Sequence, residues 1–183
     1  NNRIESTQNM GSLLKAKEIL ESHGLCHLNI NAPSATCISS LRQMEQYGVT
    51  SCEPGHGLTG TTPLHAHGFQ EERPCVLYLS EVSHNYDHKA YIYGGGYYRR
   101  GHVRQALVCH DGVYEYANVQ PPAVDSIDYH FELDREFPVG STVIMAFRFQ
   151  IFTSRSDICL MEGLHAGNPK TAVFYDSFGK LGK

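Results

Sequence analysis

The chain has 183 residues, a formal net charge of −4 and 19% charged residues, the make-up of an ordinary soluble globular protein. That balance excludes the basic footprint needed for nucleic acid, and pairs such as Arg99-Arg100 are too isolated to supply one. No apolar run approaches the roughly 20 residues of a membrane span, and no signal peptide is visible, so no membrane partner is expected.

Six cysteines are scattered with no C-x-x-C pair, which predicts free thiols and a reducing, cytoplasmic setting. The opening Asn1-Asn2-Arg3, close to a helical pattern, reads as the start of a fragment.

Leu13, Leu14, Ala16, Ile19 and Leu20 are spaced for one face of an amphipathic helix over residues 12–23, capped by Ser12 and stopped by Gly24. Leu25 to Ile30 reads as a strand, followed by the loop Asn31-Ala32-Pro33-Ser34-Ala35-Thr36. A second helix is expected from Ile38 to Tyr47, stopped by Gly48, and a second strand from Val49 to Cys52. Helix and strand alternating through tight loops predicts βα units and a parallel sheet. From about Phe69 the texture becomes β-rich, with runs at 75–79, 90–93, 106–109 and 142–145 and turns at Asp111-Gly112 and Val139-Gly140. Phe147 to Phe152 with Asp157 to Met161 reads as a further strand pair, and Ala172 to Tyr175 closes the set. The boundary is expected between residues 62 and 68, which divides the chain into domains 1–64 and 65–183.

Three stretches carry chemistry. In the loop from Asn31, Ser34 and Thr36 offer hydroxyls just before a helix N-terminus, which serves either as a phosphate cradle or as a plain helix cap. Glu53-Pro54-Gly55-His56 places a carboxylate at a strand end before a turn, suited to a cationic ring nitrogen, or simply a strand exit. Tyr91 to Arg100 sets three glycines between tyrosines, where a phenol near cations acts as acid or base, or where the glycines form a packed hairpin.

In order and approximate spacing, Asn31-Ala-Pro-Ser34, Glu53-Pro-Gly55 and Tyr93-Gly-Gly-Gly-Tyr97-Tyr-Arg99-Arg100 resemble the alanine racemase-like enzymes. These are the fold-type III pyridoxal-phosphate proteins. Within them the chain looks like the predicted amino-acid racemases of the YhfX type. The resemblance implies two βα units of a TIM-type barrel followed by an antiparallel β domain. It implies that Asn31, Ser34 and Glu53 contact the cofactor, Ser34 and the amides near it at the phosphate, with Gly55 and His56 approaching from the next turn. Tyr93 would be the acid/base residue, acting on an amino acid in the pocket of the partner subunit of a homodimer.

Two departures qualify what the resemblance implies. Glu53 stands where alanine racemases have arginine, as in decarboxylases related to ornithine decarboxylase. A carboxylate keeps the pyridine nitrogen protonated and so favours decarboxylation or elimination as well as racemisation. The family's Schiff-base lysine lies far upstream, and no lysine here occupies such a position, so the chain alone is expected to be inactive or to serve as a dimerisation domain. Histidines at His65-x-His67, His84-x-x-Asp87-His88 and Cys109-His110-Asp111 match no defined zinc spacing, so no metal is expected.

Overall fold

The computed structural model describes residues 5–32, 37–62, 64–65, 70–94, 103–120, 130–146 and 156–182. Two compact units emerge, one taking in the chain up to Tyr78 and the other running from Leu79.

In the first unit, α1 spans Gln8–Ser22 and α2 spans Ile38–Gln46. Gly24 and Gly48 adopt φ of +88° and +72° just past the two helices, a conformation that a side chain would strain. The first helix begins a turn earlier than Ser12. That serine's hydroxyl instead donates back to the Gln8 carbonyl at 3.3 Å, inside the helix. Although α1 carries the expected apolar stripe, none of its residues is buried. At the start of α2, Cys37 and Ser40 form a reciprocal capping box, and Ser40 and Met44 are the helix's buried positions. A third, five-residue helix, α3, spans Gly55–Thr59.

The expected βα units of a TIM-type barrel do not form, and the fold class is corrected accordingly. The runs at 25–30 and 49–52 meet only in an isolated parallel bridge, Asn31 with Ser51. Its bonds are Ala32 N–H to Ser51 O and Ser51 N–H to Ile30 O, both at 3.1 Å. Thr50 adds its hydroxyl, which accepts from Ile30 N–H at 2.9 Å. A parallel ladder needs flanking strands and buried faces, and Leu25, at the head of the first run, remains 51% exposed.

The second unit is a closed six-stranded antiparallel barrel in the order β1-β2-β5-β4-β3-β6. Its strands are β1 Tyr78–Tyr86, β2 Lys89–Tyr93, β3 Gln105–His110, β4 Val113–Gln120, β5 His130–Leu133 and β6 Thr142–Met145. Alternation fills the interior with Val82, Ile92, Val108, Phe131, Leu133 and Val143, while intervening residues face outward. Val82 N–H to Ser141 O at 3.0 Å and Gly140 N–H to Val82 O at 2.8 Å join β1 to the entry of β6 and close the ring. Closure leaves no unpaired edge.

Tight hairpins set the register. Asp111-Gly112 turns with φ of +48° and +78°, and Asp87-His88 with +47° and +60°, the mirror-image turns that suit the strand twist. Beyond the barrel strands, β7 Ile158–Glu162 pairs with β8 Lys170–Tyr175 in a separate two-stranded sheet. Among the described residues no helix is long and apolar enough to cross a membrane.

Candidate functional site

The parallel bridge at Asn31 and Ser51 brings two chain ends together, and the next residues carry the polar groups. Asn31 Nδ2 donates to Glu53 Oε1 at 3.2 Å, across 22 residues of sequence. Glu53 is exposed, so its second oxygen faces solvent or a ligand with the carboxylate already oriented. Beside this pair a cleft of about 580 Å³ opens between α1, α2 and the Asn31 end, lined in part by Met10, Leu13, Asn31, Met44 and Tyr47. Its size and mainly apolar walls suit a small organic ligand.

The turn after Glu53 is used largely by the protein itself. Gly55 N–H donates to the Glu53 carbonyl at 2.9 Å and opens α3. The His56 ring is buried, and its Nδ1 lies 3.1 Å from the Thr61 carbonyl. Since a carbonyl only accepts, Nδ1 carries the proton in that contact. Within this unit, then, His56 acts as a core hydrogen-bonding residue that shapes the turn. Ser34, like Tyr97, lies outside the described residues.

Tyr93 ends β2 in the barrel unit, 59% exposed. Its carbonyl accepts from Ser80 Oγ at 2.5 Å, and it stands opposite His130 across the β2–β5 pair. Sequence reasoning did not anticipate the surroundings of this tyrosine. The register puts Tyr91, Tyr93, His130 and Glu132 on one outer face of the barrel. The His84 ring stacks on Tyr91 with centroids 4.8 Å apart, and His130 tilts against it at 5.7 Å. Lys89 Nζ reaches Glu132 Oε2 at 2.9 Å, and this hydrogen-bonded carboxylate holds the lysine charged to higher pH than usual. His130 Nε2 lies 3.9 Å from the other Glu132 oxygen. No local signal could have found this face, because it exists only once two strands are paired in register.

Of the histidine stretches weighed for metal, His67 lies outside the described residues. His65 Nε2 donates to the Gly60 carbonyl at 3.0 Å, and His110 Nε2 lies 3.3 Å from Asp111 Oδ2. Among the described residues no three His, Cys, Asp or Glu side chains converge to hold a metal ion. All six cysteines are unbridged.

Residues 77–171, just over half of the chain, match the family described as the YhfX-like C-terminal domain. The chain belongs to this family. It is also similar to a protein of Escherichia coli (strain K12) described as uncharacterized protein YhfX, with 46% identity over 179 residues. That alignment takes in 97% of this chain and 46% of the relative, so the chain spans about half the length of the YhfX protein it matches. The matched residues cover the barrel strands from β1 to β6 and the β7–β8 pair as far as Thr171.

Proposed function

We propose that this YhfX-like chain is the C-terminal part of a pyridoxal-phosphate enzyme that moves a proton at the α-carbon of an amino acid, as a racemase does. The observation that carries this reading is the Asn31–Glu53 pair, held at 3.2 Å where two chain ends converge beside the cleft. An exposed carboxylate whose orientation is fixed by an amide suits a protonated pyridine nitrogen. Supporting it, the N-terminal end of α2 carries helix-dipole charge of the kind that attracts phosphate. The residues thus fit the cofactor. Glu53 would hold the ring nitrogen, with Asn31 orienting it, and the loop containing Ser34 would lie at the phosphate, near Gly55 and His56.

When bound, the cofactor supplies an electron sink for the α-carbon. Tyr93, exposed at the end of β2, would give or take the proton there, in the pocket of a partner subunit in a homodimer. It shares the outer face of the barrel with Tyr91 and His130, and its own exposure leaves the phenol open to a ligand. Unbridged cysteines support a cytoplasmic setting.

Glu53 itself favours a second reading, decarboxylation or dehydration by the same constellation, because a protonated ring stabilises a wider range of carbanions. In either case Glu53→Ala in the full-length protein should leave the cofactor bound. It should slow exchange of the substrate α-proton into deuterated solvent by roughly 10–10²-fold, the loss expected for a misplaced charge partner. Exchange at the unaltered rate would remove Glu53 from the ring nitrogen.

A further inference from the structure

Gln70–Arg73 lies as a strap across the start of α2, held by three successive residues. Ser39 Oγ donates to Gln70 Oε1 at 3.2 Å. The Arg42 guanidinium meets the two Glu71 oxygens at 2.5 and 3.2 Å. Ile38 N–H, in the first turn of α2, donates to Glu72 Oε1. At the far end of the strap the Arg73 carbonyl sits against Gly60, where an added Cβ would stand 2.1 Å from the oxygen.

Glu72 is only 9% exposed, and its second oxygen, Oε2, is buried without a hydrogen-bond partner. A buried carboxylate oxygen left unmatched is unfavourable, so the carboxylate is a poor permanent occupant of this place. The place itself attracts anions, being the N-terminus of a nine-residue helix. In the same turn Ser40 N–H meets the Cys37 sulfur at 3.4 Å. No ligand can reach Oε2 where it lies, because the atom is sealed from solvent. Release of the strap would return that oxygen to water and free the Ile38 N–H for a better-matched anion.

We propose that Glu72 is a displaceable latch, an internal carboxylate that holds the anion position at the start of α2 until a phosphate-bearing ligand takes it over. The latch rests on the reading above only for the identity of the molecule that carries the phosphate. Its geometry is complete within this unit.

Inorganic phosphate, titrated into the 183-residue chain with backbone amide NMR as the readout, tests it. Glu72→Gln keeps an acceptor for Ile38 N–H but removes the charge. It should bind phosphate about ten-fold tighter than the unaltered chain, with the Ile38 amide among the resonances that move. Arg42→Gln, which frees Glu71 and loosens the strap without touching the helix end, should tighten binding by a smaller factor, about three-fold. Equal affinity in all three chains, or tighter binding that leaves Ile38 unmoved, overturns the latch. Phosphate captured at Ile38 in a protein that forms no lysine adduct with pyridoxal phosphate would keep the latch and remove the cofactor assignment.

Discussion

Tyr93→Phe in the full-length protein is expected to slow exchange of the substrate α-proton with deuterated solvent by about 10²–10⁴-fold, the usual contribution of a positioned acid/base group, with cofactor binding intact. The substitution removes one hydroxyl and leaves the strand as it is. The Ser80 contact is made to the Tyr93 carbonyl, and the register opposite His130 is a backbone property. The effect should therefore appear in the rate and not in the fold. Tyr91→Phe is the matched control on the same outer face. Tyr91 keeps its stacking on His84 as a phenyl ring, so a loss smaller than about ten-fold is expected there. A full loss at Tyr91 with normal exchange at Tyr93 would move the acid/base role to Tyr91.

The other large effect is on stability. Phe131→Ala should destabilise the barrel unit by about 3–5 kcal/mol, the range for an aromatic side chain deleted from a packed core. Phe131 is among the largest fully buried side chains of the chain, opposite the equally buried Ile92 in the β2–β5 pair. A closed barrel cannot shed an edge to fill the void, so little relaxation is available. Calorimetry should show a midpoint lowered by more than about 10 °C. A drop of only a few degrees would mean that the interior repacks.

Local punctuation was legible in the sequence. Gly24 and Gly48 stop the helices because each needs a positive φ, and Asp111-Gly112 turns for the same reason. The runs Ala90 to Tyr93, Ala106 to Cys109 and Thr142 to Met145 fall within strands, since alternation is a property of the strand itself. Closure was not legible. It depends on Val82 meeting Gly140 and Ser141, nearly sixty residues away, and no local pattern encodes such a pairing. The TIM-type reading failed for a related reason. Leu25 to Ile30 has the composition of a buried strand, but a strand also needs neighbours, and here only Asn31 and Ser51 meet.

The site divides along the same line. Asn31 came from the family resemblance and Glu53 from its carboxylate at a strand end, and the fold joins them. His56 was singled out beside them, and the fold turns its ring inward to Thr61. Glu72 carried no signal at all, because Gln70-Glu71-Glu72-Arg73 reads as a solvated charged stretch until Ile38 is placed against it.

The most direct test of the central proposal is to mix the full-length protein with pyridoxal phosphate, record the visible absorbance, and then reduce with borohydride. A covalent link to a lysine gives a band that borohydride abolishes, leaving a cofactor-sized mass increment on one peptide. That result is expected, with the modified lysine lying outside the sequence described above. No band and no adduct would contradict the enzyme reading and leave the YhfX-like domain without a cofactor role.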